Sequence, residues 1–308
     1  MTALRPPIDE TLFTILQHNR TQFMTTVYLN GIFLPIEQAC VPVLDRGFLF
    51  GDGVYEVIPA YGGTLFRLEE HLQRLDHSLA GVRITNPLSR ALWRDTLEEL
   101  VERNGGGDQS IYFQITRGAA PKRDHAFPAN VLPTVFMMST PLAPLPADLA
   151  QSGIAAITLA DIRWQKCDIK AITLLPNVLL RQEAIDNGAA EAILLRDGLA
   201  VEGAASNLFI VKDGTIITPP KGPHLLPGIT RDLILELAAG HKVPHREDAI
   251  TESQLHTADE IWLTSSTKEI LPVTHLDNIA VSGGKPGPVW VKMIALYQNY
   301  KRTLGAQN

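Results

Sequence analysis

Asp161-Ile-Arg-Trp-Gln-Lys-Cys-Asp-Ile-Lys170 is followed first by Glu202-Gly-Ala-Ala-Ser-Asn207 and then by Leu225-Leu-Pro-Gly-Ile-Thr-Arg231, which runs into a helical pattern. In that order the three stretches offer a lysine amine, a carboxylate and a helix start. Pyridoxal phosphate needs those three groups: an amine for a Schiff base, a carboxylate for the ring nitrogen, and free N–H groups for the phosphate. A lysine amine is a good nucleophile only when neutral, and partial burial or neighbouring cations lower its pKa. Lys170 stands beside apolar Ile169 and Ile172, with Lys166 and Arg163 as the cations at hand. A carboxylate such as Glu202 keeps a pyridine nitrogen protonated, so that the ring accepts the electrons of a carbanion. Taken singly, each residue has a plainer use, since most lysines are exposed and a glutamate before Gly203 suits a turn. Their succession carries the reading.

Further residues fit the same chemistry. Gly228 permits close backbone approach, and Thr230 lies near a helix N-terminus, where free N–H groups and the helix dipole favour an anion. Thr264-Ser-Ser-Thr267 is a second hydroxyl cluster after a strand, and Ser265 and Ser266 are its phosphate candidates. Arg74, on the first long helix, has a guanidinium able to fork onto the same anion. Ser206 and Asn207 either shape the site or are turn residues.

Around these stretches the sequence alternates strands and helices. Val27 to Leu34 holds Asn30-Gly31, a two-residue hairpin signal. Strands are expected at Val54–Ala60, Ser110–Arg117, Thr134–Met138, Gly153–Leu159, Ala190–Leu195, Ala200–Glu202, Asn207–Lys212 and Glu260–Thr264. Helices are expected at Arg67–Leu79, Ser89–Val101, Asn177–Asn187, Arg231–Ala239 and Trp290–Tyr300. Leu142 to Ala150, rich in proline and alanine, reads as a linker. The fold class is therefore mixed α/β, in two domains: 26–144, and 145–308 with most of the chemistry. Residues 1–25 form an N-terminal extension, with either a short helix from Glu10 to His18 or a translation start at Met24.

The bulk composition excludes other classes. With 308 residues, 45% of them hydrophobic and 19% charged, the chain suits an ordinary globular enzyme. A net charge of −6 gives no basic signal for nucleic acid or an acidic membrane. Apolar runs fall short of the ~20 residues that span a bilayer. Cys40 and Cys167 suggest neither a disulfide framework nor a metal site, and point to a reducing, cytoplasmic setting.

Together, Arg46-Gly-Phe-Leu-Phe-Gly-Asp-Gly-Val-Tyr-Glu56, Asp168-Ile-Lys170, Glu202-Gly-x-x-Ser-Asn207 and Leu226-x-Gly-Ile-Thr-Arg231 resemble the class IV aminotransferases, the fold-type IV pyridoxal-phosphate enzymes. The resemblance covers roughly Thr26 to Tyr300. It implies a small N-terminal α/β domain and a larger C-terminal pseudo-barrel domain that binds pyridoxal 5'-phosphate. By resemblance Lys170 is the Schiff-base lysine and proton shuttle, and Glu202 partners the pyridinium. Leu226 packs on the ring, and Arg74, Ile229, Thr230 and Ser266 hold the phosphate. Thr116-Arg-Gly-Ala-Ala-Pro-Lys-Arg-Asp-His125-Ala-Phe-Pro128 is similar to the substrate loop of the D-amino-acid aminotransferases within that family. There an Arg-x-His pair and the tyrosine of Gly-Val-Tyr-Glu trap the substrate carboxylate, and the matching residues here are Arg123, His125 and Tyr55. The loop reaches the partner's site in that family, so the resemblance implies a homodimer working on D-amino acids and 2-oxo acids. Three positions depart from the pattern: Lys122 is an extra residue, Ala204-Ala205 replace serines, and Pro59 replaces a lysine. The alternatives are a branched-chain L-amino-acid aminotransferase, an (R)-amine transaminase, an aminodeoxychorismate lyase, and a cofactor-binding protein without catalysis.

Overall fold

The computed structural model describes residues 25–144, 146 and 149–305. The expected helix from Glu10 to His18 and the Met24 start lie outside the described residues. Two sheets form among those that are described.

The first sheet uses residues 26–141. Strands β1 (Thr26–Leu29) and β2 (Ile32–Pro35) pair antiparallel across Asn30 and Gly31. Both turn residues have positive φ, 51° and 98°, which the asparagine and glycine tolerate and which matches the twist of the flanking strands. Strand β1 then pairs with β6 (Thr134–Pro141), β6 with β5 (Gln109–Thr116), β5 with β3 (Gly53–Tyr61), and β3 with β4 (Thr64–Leu65). Two helices cover one face, α2 (Leu68–Gly81) and α3 (Arg90–Arg103), after a short α1 (Arg46–Phe50) earlier in the chain. Leu68, Leu72, Leu75 and Leu79 recur at helical spacing on α2 and pack with Trp93 and Leu97 of α3 against Ile58, Ile111 and Phe113 of the sheet. Ser89 caps α3 by accepting from Leu92 N at 3.3 Å.

The second sheet has ten strands and is mixed. In chain order they are β7 (Ile154–Ala160), β8 (Glu191–Arg196), β9 (Leu199–Gly203), β10 (Asn207–Lys212), β11 (Thr215–Thr218), β12 (His245–Glu247), β13 (Ile250–Thr251), β14 (Glu260–Ser265), β15 (Glu269–Leu276) and β16 (Ile279–Ala280). They lie in the order β12-β11-β10-β14-β15-β7-β8-β9-β13, with β16 on β15. Ile217 near one end of this path and Ile250 at the other share one apolar cluster with Ile193, Leu208, Leu263 and Val273. A sheet whose two ends meet in one interior is curled, which is the expected pseudo-barrel. The strand period sorts the side chains. Leu208 and Ile210 enter that interior, while Phe209 and Val211 face outward to helices α6 (Ile229–Gly240) and α8 (Pro288–Gly305). Helix α5 (Leu175–Asp186) covers β8 through Leu180 and Ala184, and one-turn helices α4 (Leu149–Ser152) and α7 (Glu252–His256) fill the connections.

Several elements differ from the sequence reading. Helix α6 begins at Ile229 rather than Arg231, because Gly228, extended at φ −71° and ψ 133°, serves as its N-cap. Strand β15 was not expected, since Pro272 interrupts its pattern and Glu269 begins it at φ 55°. The short β11, β12 and β13 also lacked a signal of their own. The expected linker Leu142–Ala150 already turns helical at Leu149.

Candidate active site

Lys170 belongs to no regular element. The segment after Asp168 is stitched onto β3: Tyr55 N donates to Lys170 O at 2.9 Å, Ile172 N donates to Gly53 O at 3.1 Å, and Ala171 bridges Val54. From the other side Ser78 of α2 accepts from Lys170 N at 3.1 Å. The approach is close. A Cβ on Gly81 would fall 2.7 Å from Ile169 Cδ1, and one on Gly53 would fall 2.5 Å from Ile115 O. Its backbone thus fixed, the half-buried Lys170 side chain carries Nζ 4.1 Å from the centre of the Tyr55 ring. It enters a cavity of about 440 Å³ between the two sheets. Tyr55, Arg74, Glu202, Ser206, Asn207, Leu226, Ile229, Thr230, Ser265 and Ser266 line the same cavity.

Glu202, at the end of β9, is buried. Its carboxylate accepts from Asn207 Nδ2 at 3.1 Å, from Leu226 N at 3.1 Å and from Arg163 Nη1. Asn207 Nδ2 also donates to Leu226 O at 2.8 Å, so one amide ties the carboxylate to the turn before α6. Burial pushes Glu202 up to about 7, and Asp161 adds to the rise while Arg163 opposes it. Arg163 is not free to act on Lys170, as its position in the sequence had suggested. It is held between Glu202 and Asp161, whose Oδ1 accepts from its Nε at 2.9 Å. Arg196 also pairs with Asp161, at 2.9 Å. Arg163 was in the quoted sequence, but nothing in the chain order indicated which way its side chain turns.

Arg74 is buried, not solvated. Nε and Nη2 fork onto Glu56 at 2.8 and 2.7 Å, and Nη1 donates to Pro227 O at 3.0 Å. It therefore joins β3 to the turn at the start of α6. Burial alone would raise the Glu56 carboxyl, but Arg74 and His71 hold it well below the usual carboxylate range. His71 approaches Glu56 through Nδ1 at 2.8 Å and is itself pushed down by burial. Glu56 closes the quoted motif Arg46–Glu56 and His71 lies in the expected helix Arg67–Leu79, but neither stood out in the sequence as a site residue.

The cavity fits a planar ring bearing a phosphate. Helix α6 starts with no side-chain cap, so its first N–H groups are available to an anion. Gly228 leaves that turn open, since a Cβ there would fall 1.8 Å from Asn207 Oδ1. Thr264 Oγ1 is buried on the cavity wall and has no partner among the described residues. An unpaired buried hydroxyl is costly unless a ligand satisfies it. Thr264 opened the hydroxyl cluster read from the sequence, yet only Ser265 and Ser266 had been singled out. Ser206 turns partly elsewhere, to Glu191 Oε2 at 3.4 Å.

Arg123 and His125 do not line this cavity. They are exposed on the first domain's surface and lie against Phe50, Arg123 Cζ at 4.9 Å from the ring centre and the His125 ring at 5.2 Å. Within one chain the structure separates them from Tyr55 and Lys170. The extra Lys122 is exposed and pairs with Asp124 at 3.1 Å.

The family described as amino-transferase class IV matches residues 53–276. The chain belongs to the class IV aminotransferases. A D-alanine aminotransferase of Bacillus licheniformis is 41% identical over 273 residues, covering 89% of this chain and 96% of that one. One of Staphylococcus epidermidis is 38% identical over 277 residues, covering 90% and 98%. Among solved structures, a branched-chain amino acid aminotransferase of Escherichia coli superposes with a TM-score of 0.83 at 30% identity, covering 90% of this chain and 94% of that one. The T.th. branched-chain enzyme with pyridoxamine 5'-phosphate gives 0.84 at 28% identity, covering 90% and 93%. This class IV aminotransferase thus has the fold-type IV architecture expected from its sequence. No helix among its described residues is long and apolar enough to cross a membrane.

Proposed function

We propose that this class IV aminotransferase moves the amino group between D-amino acids, D-alanine and D-glutamate among them, and 2-oxo acids, with pyridoxal 5'-phosphate held at Lys170. The observation that carries the reading is the meeting of Lys170 Nζ, buried Glu202 and the uncapped start of α6 in one cavity. Bound pyridoxal phosphate supplies an electron sink for breaking the Cα–H bond and a carrier for the amino group. Lys170 Nζ would take the Cα proton of the donor amino acid and pass a proton to the C4′ carbon of the cofactor, and would run the same transfer in reverse when the 2-oxo acid acceptor is aminated. Glu202, fixed by Asn207 and Leu226 N, would partner the ring nitrogen, and Leu226 would pack on the ring. Ile229, Thr230, Ser265 and Ser266 would hold the phosphate, with Thr264 Oγ1, unpartnered among the described residues, as a further donor. Arg74 holds the phosphate turn through Pro227 O and has N–H groups left for the anion. Ser206 and Asn207 shape the wall beside Glu202.

The substrate carboxylate goes to Tyr55 and to Arg123 and His125 of a second copy. Those two residues are exposed on a loop away from their own cavity, which supports a homodimer in which each loop serves the other chain's site. A guanidinium forks onto a carboxylate, and imidazole and phenol add donors. Relatives named D-alanine aminotransferase at 38–41% identity support the D-substrate reading over the branched-chain one, whose solved structures share the fold at 28–30%. We place the domain boundary at 144/145. The enzyme is assigned to the cytoplasm, where its two free cysteines would stay reduced. The test is amino transfer to 2-oxoglutarate by the purified holoenzyme. D-alanine should be turned over at least about a hundredfold more efficiently than L-leucine. Equal or reversed preference would transfer the chain to the branched-chain reading.

A further inference from the structure

An exposed loop that must present two donors at a fixed spacing has to be held by something else. For the loop 123–128 the holder is Arg46, at 4% exposure the first residue of α1. Its Nη1 donates to Asp124 O at 2.5 Å and to Ala126 O at 3.3 Å, and its Nη2 donates to His125 O at 3.3 Å. A guanidinium is planar and has donors only, so three successive residues satisfy it only by turning their carbonyls toward it. Nε donates to Asp52 Oδ2 at 2.7 Å. That carboxylate is shared with Arg117, whose Nε and Nη2 reach it at 2.8 and 2.9 Å. One carboxylate between two guanidiniums leaves one positive charge over, and the loop carbonyls face it.

The brace extends to both ends of the loop. Arg117 lies 3.7 Å from the centre of the Phe127 ring and donates to Val82 O at 2.7 Å, which ties the far end to α2. Phe50, the last residue of α1, has Arg46 Cζ at 4.8 Å, Arg123 Cζ at 4.9 Å and the His125 ring at 5.2 Å from its ring centre. Both candidate carboxylate donors therefore lean on a single aromatic ring. Neither Arg46 nor Phe50 lines the Lys170 cavity.

We propose that Arg46 and Phe50 are positioning residues for the substrate carboxylate: Arg46 sets the loop backbone through three carbonyls, and Phe50 spaces the Arg123 and His125 side chains before substrate arrives. The proposal rests on the reading of Arg123 and His125 as the carboxylate donors.

Steady-state kinetics of the holoenzyme test it, with Arg46→Lys, Phe50→Leu and Arg123→Ala measured together. Lysine keeps a charge against Asp52 but cannot fork onto three carbonyls. Leucine keeps an apolar side chain but has no aromatic face. Each should raise KM about tenfold for D-alanine and for 2-oxoglutarate, since both carry the carboxylate, and leave kcat within about twofold. In the Arg123→Ala background each should raise KM by clearly less than in the wild type, because only His125 is left to position and changes along one line of action are not additive. Should Arg46→Lys fail to fold, half-buried Phe50→Leu carries the test alone. An unchanged KM in the folded variants overturns the proposal, as does a rise that simply multiplies with that of Arg123→Ala. If Arg123→Ala itself leaves KM unchanged, the carboxylate assignment fails, and the positioning role with it. If Arg123→Ala raises KM and the other two do not, only the positioning role fails.

Discussion

Glu202 sits under two opposing influences: burial favours its neutral form and Arg163 its charged one, with Asp161 competing for the same arginine. Its folded pKa, pushed up to about 7, is above the unfolded value near 4.5. The folded state therefore binds the extra proton more tightly than the unfolded chain between those values, and stability falls as pH rises through that window. The loss is on the order of 3 kcal/mol for a shift of this size. Thermal unfolding of the cofactor-free protein should show it as a difference between wild type and Glu202→Gln, with wild type losing stability relative to the variant from about pH 4.5 to 7. Parallel pH profiles would mean that Glu202 is charged throughout. Comparing the two proteins removes His71, whose lowered pKa acts in an overlapping range in both. Glu56 has the opposite sign and a lower window, since its depressed pKa gives stability that is lost only as pH falls below the ordinary carboxylate range. Lys170 and Glu202 were picked out from residue type and order alone, and the structure brings both to one cavity. The partner of Arg163 was not, because a side chain's direction depends on a fold that neighbours in sequence do not define.

Helix α6 shows what an element contributes beyond its residues. Its first turn faces the cavity without a capping side chain, and Gly228 keeps the approach clear. Gly228→Ala would drive a methyl group into Asn207 Oδ1, displacing the amide that holds both Glu202 and Leu226 O. The expected cost is about 1–3 kcal/mol in stability, with a clear loss of pyridoxal-phosphate affinity. Chemical denaturation and cofactor titration measure the two, and wild-type affinity in the variant would show that the turn does not receive the phosphate. The long amphipathic helices and the Asn30-Gly31 hairpin were readable because period and turn chemistry are local properties. Strand β15 was not, because its pairing with β14 and β7 overrides Pro272 and the positive φ of Glu269. The two-residue shift at the start of α6 mattered most, as it places Ile229 and Thr230 in the first turn.

At the scale of the whole molecule, the cavity lies between two sheets, and the exposed Arg123 and His125 do not line it. If each loop serves the other chain's cavity, an inactive Lys170→Ala chain and an Arg123→Ala chain of raised KM should rescue each other at D-alanine well below that KM. A Lys170→Ala chain keeps the loop and an Arg123→Ala chain keeps the lysine, so each mixed dimer has one complete site. Random co-assembly should restore about a quarter of wild-type activity. Activity no greater than the sum of the separate variants would place the loop and lysine of one chain at one site. A mixed α/β chain was legible from its alternating strands and helices, and the curled second sheet from the family resemblance. The expectation that the loop serves a partner's cavity came only from the family resemblance, since the residues themselves contain no distance between Arg123 and Lys170. The most direct measurement is the visible absorption of the pyridoxal-phosphate-loaded protein, recorded before and after D-alanine and, separately, L-leucine. The band of the lysine-bound cofactor should disappear with D-alanine and persist with L-leucine. A protein that forms no such band, or one whose band L-leucine alone removes, would contradict the D-amino-acid aminotransferase reading.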